Sequence, residues 1–438
     1  MCIQQFKGKK LLILAGAEVH CKVVRAAKEL GAYTIVTDYL TIENSPAKQI
    51  ADEYWMLNIT DVDAIVEKCK EVHINGVIAY CIDPAQIPYQ QICERLSLPC
   101  YGNKEQFAIL TNKKLFKDFC RSHNVDVIQE YSIADVQSDN VIYPVLIKPV
   151  ESRGSRGQSI CHSKDEVQDA IEFARNESGN GEILIERYMK DGCQDMCLSY
   201  TVINGIPYLY RIGDRYLGTV EDGLQRQAVC SIHPSTYVNE YMEVVHPIVC
   251  DFIKALGIRF GGVFLQGIWE NGKIYMYDPG LRFPGSDFDE AILKAVGFDN
   301  MKSSIAFALT GDITTQFGNP QGAFLLNGGV GFVLSVSARP GKIMEFRGIE
   351  ELAQHPYVLK VSKRHKIGDI ITRTGDIKQR VVEFIVYMPE GENATDFIEY
   401  IYDKLEILDE NGNNMVTSKV IFPETSRYFS VKHSRNRQ

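Results

Sequence analysis

The chain has 438 residues with 45% hydrophobic and 24% charged side chains, enough for about three globular domains. A net charge of −9 argues against a nucleic-acid binder, which usually shows a basic face. Twelve cysteines run from Cys2 to Cys250 with no CxxC pair. Cys193 and Cys197 have no partner pair at zinc spacing, so reduced, mostly buried thiols are expected rather than a disulfide framework or zinc site.

The chain opens with Lys7, Lys9 and Lys10 before an apolar run from Leu11 to Ala17. This has the outline of a short signal peptide, but Glu18 and His20 cut it and the pattern passes straight into a helix. A first strand is therefore expected. No apolar run approaches the roughly 18 residues needed to cross a bilayer, and a cytoplasmic protein with no membrane or nucleic-acid partner is expected.

The runs KLLILAGA, YTIVTD, YWML and GVIAY alternate with helical stretches such as VVRAAKELG and VDAIVEKCKEV. This alternation predicts a parallel sheet with right-handed crossovers over residues 1–102, whose ligands sit beyond the carboxyl ends of the strands. Gly16, Ala17, Glu18, Asp38 and Asp83 fall at such ends. One glycine in the first loop is too few for a dinucleotide fingerprint.

From about Asn103 the pattern changes. A helix over Lys113–Ser122 precedes a Gly/Ser/Arg loop and long runs with antiparallel character, in which INGI and ENGK are hairpin turns. A further α+β segment follows from about residue 321, ending in a basic tail with Lys432, Arg435 and Arg437.

Four pieces carry chemistry. In TNKKLFKDF, Lys113 or Lys114 opens a helix and can reach a phosphate as a point charge; alone, either reads as a solvated helix face. In YPVLIKPVESRGSRGQSI, Lys148 ends an apolar strand, and a buried ammonium needs an anion. A nucleotide phosphate would supply one, with Ser152, Arg153, Gly154, Ser155 and Gly157 offering backbone N–H groups and hydroxyls around it. In EILIERYMKDGCQDMC, Glu186, Arg187, Tyr188 and Met189 offer backbone groups to an adenine edge, and Asp195 an acceptor for ribose hydroxyls.

In the fourth piece, FGGVFLQGIWENGKIYMYDPGLRFPG, Gln266 and Asp278 are oxygen ligands suited to Mg²⁺ or Mn²⁺. A strict two-residue turn at Asn271-Gly272 would pair Gln266 with Tyr277 and put Asp278 on the other face. A three-residue loop with a bulge at Gly272 is therefore expected, restoring both to one face. Arg282 would then lie beside the metal and bind the transferring phosphoryl group. Arg215 and Arg226 are candidates for clamping a substrate carboxylate, with a surface ion pair as the alternative for either.

The ordered set resembles the ATP-grasp superfamily, and is similar to biotin carboxylase, the carbamoyl-phosphate synthase large chain, purine-pathway carboxylate ligases and bacterial L-amino acid ligases. The resemblance implies a Rossmann-like domain over 1–102 and an ATP-grasp domain over 103–320, with a small part to about 187 and a large part from about 188. It implies an α+β domain over 321–438. It favours Lys113 over Lys114, and gives Lys148, Ser152 to Gly157, Glu186 to Met189 and Asp195 to ATP. The implied activity is that of an ATP- and Mg²⁺-dependent carboxylate–amine ligase working through an acyl phosphate, with Lys148 and Arg282 catalytic. Thiol acceptors are the variant of this reading, and homodimers are common in such families.

Three positions depart from the family pattern: Gln266 replaces the first metal-binding acid, Asp278 replaces Glu, and Gly280 replaces Asn. NGGVGFVLSVSARPGKI near the C-terminus most resembles amino acid ligases and points to amino-acid-like substrates. The competing readings are a purine-type ligase acting on a phosphoribosyl amine, with a phosphate pocket near Gly16 to His20, and a nucleotide sensor with a decayed active site.

Overall fold

The computed structural model describes residues 6–150, 157–189, 193–219, 224, 227–285, 287–314, 317–373, 375, 377–417, 419–420 and 422. Its first sheet is the parallel one expected. Strands β1 (Lys10–Leu14), β2 (Tyr33–Thr37), β3 (Glu53–Trp55) and β4 (Gly76–Ile78) lie in the order β3-β2-β1-β4. Helices α1 (Glu18–Glu29), α2 (Pro46–Ile50), α3 (Val62–Val72) and α4 (Asp83–Leu96) connect and flank them. The strands read as near-continuous apolar runs because helices cover the sheet.

The carboxyl ends of β1 and β2 hold the chain's own side chains. Asp38 accepts a hydrogen bond from Ser45 Oγ (2.7 Å) and pairs with the buried Lys48 (2.7 Å). A Cβ on Gly16 would stand 1.9 Å from Ser45 Oγ, so only glycine allows this close approach. Asp38 is thus committed within the fold.

Helices α5 (Lys104–Thr111) and α6 (Lys113–Ser122) lead into a small antiparallel sheet. Its strands are β5 (Glu130–Tyr131), β6 (Val145–Pro149), β7 (Ser159–Cys161) and β8 (Ile183–Arg187), ordered β5-β8-β6-β7, with α7 (Ile133–Gln137) and α8 (Val167–Asn176). Val136, Val145, Ile147, Ile171 and Ile185 form its separate core.

The large sheet contains β9 (Gln194–Ile203), β10 (Ile206–Leu217), β11 (Ala228–His233), β12 (Phe260–Glu270), β13 (Lys273–Gly280) and β14 (Val330–Ala338). The order β13-β12-β9-β10-β11-β14 continues into Arg380–Met388 and Val358–Lys363, every pairing antiparallel. Because β11 pairs with β14, the sheet runs on without a break past residue 320. Both predicted hairpins form. Asn204-Gly205 and Asn271-Gly272 all have positive φ, which makes them two-residue turns of the primed kind. Among the described residues no helix is long and apolar enough to cross a membrane.

Candidate active site

The small sheet closes onto the β12–β13 hairpin through charged contacts. Helix α6 is capped by Asn112, whose side chain accepts from the Lys114 and Leu115 amides. Capping leaves Lys113 as the first helical residue, and its Nζ lies 3.3 Å from Asp278 Oδ1. Lys114 is exposed. At the other edge, Arg187 makes a two-pronged pair with Glu270 at 2.9 and 3.2 Å.

Lys148 is buried at the end of β6, as its strand position implied, but its anion is internal. Its Nζ lies 2.6 Å from Glu186 Oε2, and the other oxygen of Glu186 binds Lys117 from α6. Lys117 also reaches Glu130 (3.1 Å). Burial pulls the Lys148 pKa down, Glu186 opposes this, and the Lys117 and Lys113 charges add to the lowering. For Glu186, burial favours the neutral acid, but Lys148 and Lys117 overcome it and hold the carboxyl below its ordinary range. The expectation that Lys148 needs an anion is met within the fold by Glu186. A buried ammonium needs a partner whether or not a ligand is bound, and Glu186 is that partner.

The same finding narrows the adenine edge expected at Glu186 to Met189. The Glu186 side chain faces the two lysines. The Arg187 amide donates to the Gln129 carbonyl (2.9 Å) and the Tyr188 amide to the Pro144 carbonyl (3.0 Å). Those two N–H groups are consumed in the fold, while Met189 is buried just beyond them.

Gln266 and Asp278 stand directly opposite one another in the β12–β13 ladder. The expected bulge at Gly272 is absent. Glu270 pairs with Lys273 across the two-residue turn, and the extra residue is Tyr277, where the register shifts between Gln266 and Gly267. A bulge anywhere between turn and site restores the alignment, since each one slips the register by one residue.

Tyr277 explains the position of the bulge. Its hydroxyl donates to Asp195 Oδ1 (2.9 Å) and accepts from Arg215 Nη1 (2.6 Å), while Arg215 also binds both Asp195 oxygens at 2.9 and 3.1 Å. Burial raises the Asp195 pKa against the opposing pull of Arg215 and Tyr277. Asp195, expected as ribose acceptor, and Arg215, expected as carboxylate clamp, pair with each other in this structure. Low surroundings polarity makes such a pair costly to separate.

Arg282 has its partner on the parallel-sheet side. Its Nε lies 2.5 Å from Asp83 Oδ1 at the start of α4, and its guanidinium stacks 5.2 Å from the Phe264 ring centroid. It therefore bridges the start of α4 to the end of the β12–β13 hairpin.

The family described as carbamoyl-phosphate synthase L chain, ATP binding domain, matches residues 105–194. The 2-oxoglutarate carboxylase small subunit of Hydrogenobacter thermophilus is 26% identical over 302 residues, covering 63% of this chain and 61% of that protein. A formate-dependent phosphoribosylglycinamide formyltransferase of Histophilus somni is 26% identical over 234 residues, 51% of this chain and 58% of its own. These matches thus span between half and two thirds of the relatives' length. The crystal structure of L-amino acid ligase from Bacillus licheniformis superposes with a TM-score of 0.75 at 18% identity, covering 92% of this chain and 100% of that one. Residues 105–194 thus match an ATP-binding domain of the ATP-grasp type, and the chain shares its overall fold with these enzymes.

The small sheet with α6 meets the hairpin β12–β13 here: Lys113 pairs with Asp278, Lys148 lies over the Tyr277 ring, and Gln266 stands opposite Asp278. Ser152, Arg153, Gly154, Ser155 and Arg226 lie outside the described residues. Gly157, at the end of the Gly/Ser/Arg motif, packs so closely that a Cβ would meet Pro149 and Glu177 at 2.7 Å. Sequence reasoning missed Lys117, Glu130 and Tyr277. Lys117 carried a signal, being four residues from Lys113 and so on the same helix face. Tyr277 carried none, because its role depends on where the ladder slips.

Proposed function

We propose that this ATP-grasp chain is a ligase that activates a carboxylate with ATP and passes the acyl group to an amine. The observation that carries this reading is one cleft in which Lys113 lies 3.3 Å from Asp278, itself in register with Gln266. Cations for phosphate and hard oxygen donors for a divalent ion thus face each other.

The donor set fits Mg²⁺ or Mn²⁺. Gln266 and Asp278 supply an amide and a carboxylate oxygen. Among the described residues there is no group of three or more His, Cys, Asp or Glu able to supply a fuller shell. Phosphate oxygens and water would complete it, which is the usual habit of Mg²⁺. When bound, the ion supplies neutralisation of phosphate charge. Lys113 and Lys148 do the same from the protein side and hold the γ-phosphorus for in-line attack by the substrate carboxylate. ADP leaves, and an acyl phosphate remains. The amine then attacks the acyl carbon and inorganic phosphate departs.

Asp83 and Arg282 form an ion pair next to the hairpin, with Asp83 half-exposed, and a substrate carrying both an ammonium and a carboxylate would exchange with it charge for charge; this supports the amino-acid-like class. Beside Gly16, Asp38 is bound by Ser45 and Lys48, which lends the phosphoribosyl alternative less support than the amino-acid-like one.

The test is ADP release from Mg²⁺-ATP across amino acids, small carboxylates and amines, beside Asp278→Ala. Release requiring both a carboxylate and an amine, and at least about a hundredfold slower in the variant, is expected. Tight ATP binding with no stimulated turnover on a broad panel would leave a nucleotide sensor instead.

A further inference from the structure

Glu130 and Glu186 are directly opposed residues on the antiparallel strands β5 and β8. Like charges in that position repel, and Glu186 is fully buried, where repulsion is least screened. Lys117 lies between them, bound to Glu186 and 3.1 Å from Glu130. Its side chain has no exposed surface. Beyond it, Arg121 pairs with the outer oxygen of Glu130. The result is a row of alternating charges, Lys148, Glu186, Lys117, Glu130 and Arg121, that runs from the cleft to the surface. Lys117 and Arg121 occupy successive turns of one helix.

Each carboxylate in this row is divided between two cations. Lys148 therefore holds only a share of Glu186, and its remaining hydrogen-bonding capacity is open to another anion. Without Lys117, Glu186 would belong to Lys148 alone, with Glu130 pressing on it from across the strand pair. The lysine at the cleft would then be neutralised by its own neighbour.

We propose that Lys117 and Glu130 are positioning residues for the nucleotide, which set how strongly Glu186 holds Lys148 and hence the affinity of Lys148 for phosphate. This rests on the ATP-dependent reading above. It predicts opposite effects for two substitutions. Lys117→Met gives Glu186 wholly to Lys148 and weakens ADP binding. Glu130→Gln lets Lys117 hold Glu186 more completely, frees Lys148 and strengthens ADP binding. Adenosine, which has no phosphate, is insensitive to both.

The experiment is calorimetric titration of the full chain with MgADP and with adenosine, for the wild type, Lys117→Met, Lys117→Arg and Glu130→Gln. Lys117→Met is expected to weaken ADP by about ten- to a hundredfold, the range of one charge-assisted hydrogen bond, and Lys117→Arg to restore most of it. Glu130→Gln is expected to tighten ADP by about threefold, since its charge is partly solvated. Should Lys117→Met fail to fold, Glu130→Gln decides alone, because Glu130 is partly exposed and its amide keeps the shape. Weaker or unchanged ADP binding by Glu130→Gln would overturn the proposal, as would equal losses of ADP and adenosine in Lys117→Met. A wild type that binds neither MgADP nor MgATP would instead overturn the ligase reading on which the proposal rests.

Discussion

Substituting His20 by leucine tests how burial at the start of α1 couples this protein to pH. His20 is fully buried. Burial lowers its pKa from 6.5 to about 4; the Ala17 carbonyl and Asp38 pull it up, while Lys22 pushes it down. The sign follows directly. The unfolded chain takes up a proton near the ordinary histidine value, whereas the folded chain resists until about pH 4. Protons therefore favour the unfolded state throughout that window, and stability is lost as pH falls through it. The full penalty is about 3 kcal/mol, of which about 2 kcal/mol accrues between about pH 7 and about pH 5. Urea unfolding of wild type and His20→Leu at those two pH values isolates the effect, since all other groups titrate in both proteins. The wild type should lose about 2 kcal/mol more than the variant on acidification. Parallel losses in the two proteins would refute the reasoning and show that His20 is protonated in the folded state without penalty.

Two further substitutions test the cleft. Asp195→Asn leaves the part-buried Arg215 without its carboxylate and should cost about 1.5–3 kcal/mol, against about 1 kcal/mol for Tyr277→Phe, which removes only a hydroxyl; denaturant midpoints rank the two. Asp83→Asn releases Arg282 and should raise the KM of the carboxylate or amine substrate by about tenfold while leaving the ATP constant unchanged. A change in the ATP constant instead would place Arg282 with the nucleotide.

Local patterns carried much of the fold. The apolar runs between helices specified a parallel sheet, and the two Asn-Gly pairs specified hairpins, because both follow from backbone sterics within a few residues. The Asn112 cap made Lys113 the start of α6 for the same reason. The site was legible where residue type alone decides. A lysine ending an apolar strand must have an anion, and a Gln and an Asp on two arms of one hairpin can share a face.

Partner identity was decided elsewhere. Lys148 meets Glu186, Asp195 meets Arg215 and Tyr277, and Arg282 meets Asp83; the last pair is 199 residues apart in sequence. Charge chemistry states that each needs a counter-ion, but which one depends on how strands and helices pack. The bulge shows the distinction within one hairpin. Spacing of twelve residues across an Asn-Gly turn demanded one slipped residue somewhere, and that demand was readable from the sequence by itself. Only the tertiary structure put the slip at Tyr277, where the displaced side chain gains the part-buried hydrogen-bonding partners Asp195 and Arg215 from other strands of the sheet.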